Sequence, residues 1–150
     1  NVIFASPDAG GTERVRDYAK YFDCEFVICD KTREKANEVK SVEVIGEVKD
    51  KDVIIVDDLI DTGGTIAMAS NVIMDKGAKS VRAIITHPVL SGNAEENLEN
   101  SSLIELVVTD SIPLNIRNKK IKVLSIAGLF AKAIRKIHEN ESTSSLFINR

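Results

Sequence analysis

Short runs of Val and Ile alternate along the chain with segments whose apolar residues recur at helical spacing. The runs predict strands, because buried parallel strands are continuously apolar and are bounded by turn residues. The predicted strands span residues 2–5, 26–29, 53–56, 81–85, 106–109 and 121–124. The predicted helices span residues 13–22, 66–76 and 129–140, with a shorter helix at 94–98. This alternation predicts an α/β fold in which helices flank a parallel sheet.

Two segments fall outside this alternation. Residues 30–41 (DKTREKANEVKS) carry many charges and few apolar side chains, which predicts a mobile surface loop. Residues 141–150 turn small and polar and then include Leu146, Phe147 and Ile148, which predicts a tail that docks on another surface.

The chain begins at Asn1 without a methionine and runs directly into VIFA. We therefore expect it to be a piece of something longer.

Composition narrows the class of protein. A chain of 150 residues suits a single domain with an ordinary core. Lys and Arg are scattered along the chain, so we expect no nucleic-acid interface and no membrane-surface helix. The apolar runs are too short to cross a bilayer and no signal-peptide pattern opens the chain, which predicts a cytosolic (cytoplasmic) protein. Cys24 and Cys29 form no CxxC pair, so we expect reduced, structural thiols.

The segment VIIVDDLIDTGGT, residues 53–65, joins an apolar strand to two acids and a glycine turn. The glycines let backbone N–H groups approach a phosphate closely. The partial positive charge of a helix N-terminus stabilises a nearby anion by about 0.3–1 kcal/mol. The hydroxyls of Thr62 and Thr65 are further donors. Asp57 and Asp58 would repel the phosphate, but they accept hydrogen bonds from paired sugar hydroxyls. The segment therefore predicts a site for a ribose that carries a phosphate, at the carboxyl end of a strand.

Other interpretations of this segment compete. A P-loop NTPase requires GxxxxGK[ST], which does not occur in the sequence. An EF-hand fails on ligand spacing and on the glutamate missing from the end of the loop. A dinucleotide site fails because no GxGxxG follows a strand. A tight turn in which Asp61 or Thr62 merely caps a helix remains an alternative.

A second segment, SPDAGGTERVR at residues 6–16, repeats the order of strand, acid, paired glycines and helix. Gly10 and Gly11 could offer N–H groups to a second anion, while Asp8 could hold a divalent cation directly or through water. Arg14 and Arg16 are two apart on the predicted helix and do not share a face, so at most one reaches the ligand. An ordinary turn with an N-cap is the alternative interpretation.

Two cations follow Asp30 in the charged segment. Lys31 and Arg33 are two apart, so in an extended segment their side chains point the same way and could close over phosphates. A solvated charged loop is the alternative at this stage. His87, in THPVLSG after a strand, is predicted to be a hydrogen-bonded turn residue without a chemical role.

The ordered motifs SPDAGGTERVR, DKTREKANEV, VIIVDDLIDTGGT, THPVLSG, ELVVTDSIP and ESTSSLF resemble those of the ribose-phosphate pyrophosphokinase family, over nearly the whole chain. The resemblance implies a type I phosphoribosyltransferase-like fold. It also implies transfer of diphosphate from ATP to the C1 hydroxyl of ribose 5-phosphate, giving phosphoribosyl pyrophosphate and AMP. Magnesium ions (Mg2+) bridge the phosphates in that family. DDLIDTGGT alone would indicate only the wider phosphoribosyltransferase fold.

The resemblance assigns roles to individual residues. The phosphate loop, which would bind the 5-phosphate, consists of Asp61, Thr62, Gly63, Gly64 and Thr65. The diphosphate loop, which would face the transferring group, consists of Asp8, Ala9, Gly10 and Gly11, with Asp8 contributing to a magnesium site. Asp57 and Asp58 would bind the ribose hydroxyls. Lys31 and Arg33 fall where the family keeps its catalytic cations, and Thr32 stands where many members have another Arg.

Family enzymes have two similar α/β domains, and this chain resembles only the carboxyl-terminal one. We therefore expect residues 1–150 to form one domain with a tail at 141–150, without the amino-terminal domain. That domain supplies most of the adenine pocket, a metal-binding histidine and much of the oligomer contact. The fragment alone is expected to catalyse little, and the full-length protein to be a homo-oligomer. The alternatives are a non-catalytic synthetase-associated regulatory subunit and a nucleobase phosphoribosyltransferase.

Overall fold

The computed structural model describes residues 1–35 and 38–147, and it describes residues 31–35 and 38–41 by their backbone alone. The strands in this part of the chain are β1 (Val2–Ser6), β2 (Phe26–Lys35), β3 (Glu38–Ile45), β4 (Asp52–Ile60), β5 (Ser80–Pro88), β6 (Glu105–Thr109) and β7 (Ile121–Leu124). The α-helices are α1 (Thr12–Phe22), α2 (Gly64–Asp75), α3 (Ala94–Glu99) and α4 (Ala127–His138). Short 3-10 turns lie at Ala9–Gly11 and Ser144–Leu146.

The strands form one sheet in the order β3-β2-β1-β4-β5-β6-β7. Neighbouring strands are parallel except β2 and β3, which are antiparallel. The predicted α/β class is confirmed. Because β1 and β4 are parallel neighbours, with Ala5 opposite Ile55, their carboxyl ends meet at one edge of the sheet. The diphosphate loop after β1 and the phosphate loop after β4 therefore lie at that same edge.

The described backbone of residues 30–41 belongs to two paired strands and not to the predicted surface loop. Strand β2 continues to Lys35, β3 begins at Glu38, and the two pair antiparallel, for example Lys31 with Val42, with register shifts on either side of Arg33. Charged residues are common on sheet edges, where they discourage pairing with other chains. Backbone hydrogen bonds hold this edge pair together, so the scarcity of apolar side chains concealed β3 and the part of β2 beyond residue 29.

Helices cover both faces of the sheet. Alternate residues of β1 point to opposite faces, so Ala5 lies in the larger buried cluster and Phe4 in the smaller one. The larger cluster contains Ile73 of α2, and the smaller contains Val15 of α1. The two helices that follow the glycine loops are thus anchored on opposite faces of the sheet. This anchoring fixes the positions of the loops that precede them.

Helix α4 contrasts with these packed elements. Every residue of α4 is exposed or half-buried, and Ile134 and Ile137 are 64% and 66% exposed. In the predicted docking tail, Phe147 is 71% exposed, and Ile148 lies outside the described residues.

Within the described part of the chain, no helix has both the length and the apolar character needed to cross a bilayer. Cys24 is half-buried and Cys29 is buried, and no disulfide joins them.

Candidate functional site

The two acids of the predicted ribose site lie inside β4 rather than after it. Strand β4 was predicted to end at Val56, but its pairing with β5 continues through Asp57 opposite Ile85 and Leu59 opposite His87. The Asp57 side chain is 20% exposed and that of Asp58 is 65% exposed. The acids therefore belong to a paired strand and differ in their access to water.

Arg14 of α1 joins the two acids. Its Nη1 donates to Asp57 Oδ1 at 2.8 Å, and its Nη2 lies 2.8 Å from Asp58 Oδ2. Arg16, two positions further along α1, is exposed. Sequence reasoning allowed one of these arginines to reach a ligand but did not foresee this pairing. The partners lie 43 residues apart, so only the packing of α1 beside β4 brings them together.

The two carboxylates have opposite electrostatic environments. Burial raises the pKa of Asp57 above its ordinary value, and neighbouring Asp58 adds to this, although the Asp58 N–H donates to Asp57 Oδ1 at 2.9 Å. Burial acts in the same direction on Asp58, but the Arg14 charge and a hydrogen bond with Asp57 outweigh it and lower the pKa of Asp58. At Asp57 the cost of burying a charge therefore prevails, whereas at Asp58 the favourable partners prevail.

The phosphate loop turns sharply into α2. Gly63 occupies the N-cap position with a left-handed φ of +74°, and its carbonyl accepts from the Ala67 N–H at 2.9 Å. A glycine at the N-cap supplies no side-chain oxygen for the first turn of the helix, whose N–H groups lack intrahelical partners. An anion placed at this turn would meet those N–H groups and the positive end of the helix.

The chain that follows β5 supports the phosphate loop. The Ser91 hydroxyl donates to the Asp61 carboxylate, and the Ser91 N–H donates to the Asp61 carbonyl at 3.1 Å. Asn97 Nδ2 of α3 donates to the Thr62 carbonyl at 2.8 Å. The Asp61 carboxylate therefore accepts from a neighbouring loop, while Gly63 takes the N-cap position of α2. Sequence reasoning missed Ser91 and Asn97, although Ser91 lies within the motif THPVLSG.

The diphosphate loop has a different arrangement. Asp8 is the N-cap of the 3-10 turn, and its Oδ1 accepts from the N–H groups of Gly10 at 3.0 Å and Gly11 at 3.3 Å. The buried Ser6 hydroxyl donates to the Asp8 carbonyl at 2.6 Å. The two N–H groups predicted to receive an anion thus donate to a carboxylate in this conformation. An anion reaching them must displace the Asp8 side chain or bring a cation that attracts it.

Asp8 suits the magnesium site that the family resemblance implies. No cluster of three or more His, Cys, Asp or Glu side chains suited to a metal ion occurs among the described residues. Magnesium at phosphoryl-transfer sites requires only one or two carboxylates, because substrate phosphates and water complete its shell. A single carboxylate at the edge of an anion loop meets that requirement, and the metal role of Asp8 stays a prediction.

Lys31, Arg33 and His87 were also singled out in the sequence. Lys31 and Arg33 belong to β2 by their backbone, but their side chains lie outside the described part of the structure. Their role as catalytic cations stays a prediction. The His87 Nδ1 lies 2.9 Å from Ser111 Oγ, so His87 is hydrogen-bonded as predicted. It belongs to β5, however, and not to a turn.

Residues 23–148 match the family model described as Phosphoribosyl synthetase-associated domain. The chain belongs to this family. Among curated relatives, the ribose-phosphate pyrophosphokinases of Campylobacter jejuni and Wolinella succinogenes are 54% and 53% identical to it over 148 residues. Each match covers 99% of this chain and 48% of the relative. The chain therefore spans about half the length of these relatives.

A solved structure supports the family assignment. The phosphoribosylpyrophosphate synthetase from Mycobacterium smegmatis superposes with a TM-score of 0.84 at 38% identity. The match covers 93% of this chain and 45% of that one. The predicted resemblance to ribose-phosphate pyrophosphokinases is confirmed, and the fold is that of part of such a synthetase. The roles of individual residues stay predictions.

Proposed function

We propose that this chain forms the ribose-phosphate-binding part of a ribose-phosphate diphosphokinase. That enzyme transfers diphosphate from ATP to the C1 hydroxyl of ribose 5-phosphate, giving phosphoribosyl pyrophosphate and AMP. One observation carries the proposal: the acid pair lies in β4, the phosphate loop follows that strand directly, and the diphosphate loop lies at the same edge after β1. We assign the 5-phosphate to the phosphate loop, the ribose diol to the acid pair and the transferring diphosphate to the diphosphate loop.

The substrate's two ends match two kinds of group. The 5-phosphate would accept from N–H groups at the start of α2 and from the hydroxyls of Thr62 and Thr65. The ribose hydroxyls would donate to Asp57 and Asp58, which β4 holds one after the other. Because the donors and the acceptors are on one strand-loop-helix unit, the sugar is oriented by both ends at once. Orientation of this kind lowers the entropic part of the barrier.

In the transfer step, the C1 hydroxyl oxygen bonds to the β-phosphorus of ATP while the bond from that phosphorus to the α,β-bridging oxygen breaks. The hydroxyl proton is lost and AMP departs. Such reactions depend mainly on positioning and on neutralising negative charge. We assign the diphosphate loop to the transferring group, with Lys31 and Arg33 as its cations. Magnesium held by Asp8 would supply further charge neutralisation.

The remaining parts of the proposal concern the whole protein. We expect the family's amino-terminal domain to provide the adenine pocket and much of the contact in a homo-oligomer. We place the enzyme in the cytoplasm, with ribose 5-phosphate and ATP as its partners and no role for nucleic acid or membranes. The scattered distribution of Lys and Arg along the chain supports this.

The decisive experiment is an assay of the full-length gene product for phosphoribosyl pyrophosphate formed from ribose 5-phosphate and ATP. We expect product only when both substrates and Mg2+ are present. Formation of product solely from a nucleotide and diphosphate would establish a nucleobase phosphoribosyltransferase instead. A protein that forms no product but alters the rate of a separate synthetase would be the regulatory subunit.

Lys31 offers a test of the catalytic cation. Lys31→Glu is expected to lower turnover strongly while affinity for ribose 5-phosphate stays near that of the wild type, because the cation serves the transferring charge. Turnover and calorimetric affinity would be measured on the same preparation. An equal loss in both quantities would contradict the proposed role.

A further inference from the structure

The guanidinium of Arg14 lies between the two glycine loops. It contacts one oxygen of each acid on β4, Oδ1 of Asp57 and Oδ2 of Asp58, at 2.8 Å in both cases. Its Nη1 also lies 3.6 Å from the position that a Cβ atom on Gly11 would occupy. One side chain of α1 thus touches the acid pair that precedes one loop and borders the backbone of the other.

We propose that Arg14 is the positioning residue of the ribose-diol site: its guanidinium holds the Asp57 and Asp58 carboxylates side by side, where both can accept from sugar hydroxyls. This inference rests on the proposed function, since it requires ribose 5-phosphate as the ligand. The sequence assigned no role to Arg14 beyond the chance of reaching a ligand. The structure places it against the acids themselves.

The shape of the guanidinium makes this role specific to arginine. Adjacent carboxylates repel each other, and a partly buried one is costly to keep charged unless a cation compensates. A planar guanidinium presents its donors in a fixed fork, so its two Nη atoms can fix the spacing of two carboxylates. A lysine ammonium is a point charge on a flexible stem and sets no such spacing. Each carboxylate retains acceptor capacity beyond the bond it makes to Arg14.

An ordinary surface ion pair is the competing explanation. Exposed pairs contribute little to stability, and the Arg14 side chain is 33% exposed. That explanation predicts no effect on sugar selectivity. A positioning role predicts that Arg14 governs the preference for a sugar with a 2-hydroxyl, because both acids must be aligned to accept the diol.

The test compares ribose 5-phosphate with 2-deoxyribose 5-phosphate by calorimetry on the full-length gene product. We expect the wild type to prefer ribose 5-phosphate by about tenfold or more, the effect of losing a hydrogen bond to a charged group. In Arg14→Gln the preference should fall to about threefold or less, chiefly through weaker ribose 5-phosphate binding. Arg14→Lys should lie between the two, because it restores charge without the fork.

Arg16→Gln is the matched control, since it removes the same charge from an exposed position of the same helix. It should retain the wild-type preference. A wild-type preference in Arg14→Gln, or an equal loss of affinity for both sugars, would overturn the positioning role. If Arg14→Gln fails to fold, an unchanged preference in Arg14→Lys would overturn it. A wild-type protein that binds neither sugar phosphate would instead overturn the proposed function and this inference with it.

Discussion

The diphosphate loop and the phosphate loop share the order of acid, paired glycines and helix, yet their acids have different partners. In the diphosphate loop, the Asp8 carboxylate turns back onto the N–H groups of Gly10 and Gly11. In the phosphate loop, the Asp61 carboxylate turns away and accepts from the Ser91 hydroxyl. The first acid closes its own loop, whereas the second is held by a neighbouring loop.

This difference follows from what lies beside each loop. The chain after β5 runs along the phosphate loop and supplies Ser91 and Asn97, so Asp61 has an outside partner. Gly63 can then take the N-cap position of α2. Asp8 instead caps its own turn, as Asp commonly does at an N-cap. We therefore expect two loops of similar sequence to serve different tasks, one binding a bare anion and the other an anion that arrives with a cation.

The largest expected effect on ribose 5-phosphate binding comes from Gly63→Val. Its φ of +74° is strained for any residue with a Cβ and most strongly for a β-branched one. We expect unfolding free energy to fall by about 1–2 kcal/mol and ribose 5-phosphate binding to be lost, while the fold persists. Chemical denaturation and calorimetry measure the two effects.

Gly64→Ala is the control for that substitution. A Cβ on Gly64 would lie 3.7 Å from Thr62 Oγ1, which is ordinary contact, and Gly64 has no left-handed φ. The variant should fold with near wild-type stability. If Gly63→Val were equally stable, the strained turn would not be what shapes the phosphate loop.

The diphosphate loop should be broken by Gly11→Ala. A Cβ on Gly11 would lie 2.5 Å from the buried Ser6 Oγ, whereas one on Gly10 would lie 3.2 Å from Asp8 Oδ1. We expect Gly11→Ala to cost about 1–3 kcal/mol of stability, as overpacking does, and Gly10→Ala to cost less. Thermal unfolding of the two variants tests this order. The reverse order would mean that Ser6 does not constrain the loop.

A crossed pair of substitutions separates the roles of the two acids. Asp8→Ala removes a cap and should lower stability by about 1 kcal/mol, with little change in ribose 5-phosphate affinity. Asp61→Ala should have the opposite profile, because Asp61 orders the phosphate loop through Ser91. Denaturation and calorimetry on both variants give four values. If both variants showed the same changes in stability and affinity, the two loops would not have the separate roles that their hydrogen bonds indicate.

The smallest effect is expected from Ser91→Ala. The lost hydrogen bond to Asp61 is exposed, so stability should change by at most about 0.5–1.5 kcal/mol. Affinity for ribose 5-phosphate should fall by a few-fold because the loop loses one of its supports. Ser101→Ala serves as the control, since its hydroxyl donates to the Leu98 carbonyl. If the two variants bound ribose 5-phosphate with equal affinity, Ser91 would not support the phosphate loop.

Much of this arrangement was predictable from local patterns. Continuous apolar runs identified the strands that pack between helices, and the helices following the glycine turns begin within two residues of their predicted starts. The order of Asp57, Asp58 and Gly63 along the chain was enough to predict two acceptors and an anion turn on one unit. These features depend on side-chain periodicity and on glycine's backbone freedom, which are both local properties.

Other features depended on contacts between distant parts of the chain. The antiparallel strand β3 is held by backbone hydrogen bonds to β2. Because its sequence is charged and has no apolar run, the sequence pattern predicted a loop there. Whether Asp61 would close its own loop or accept from a neighbouring one depended on the position of Ser91, which lies in another connection. The fork from Arg14 to Asp57 spans 43 residues and exists only because α1 packs beside β4. The sequence alone determined which groups are present and in which elements they lie, whereas the tertiary structure decided which of them meet, because hydrogen bonds and ion pairs require a distance that only packing sets.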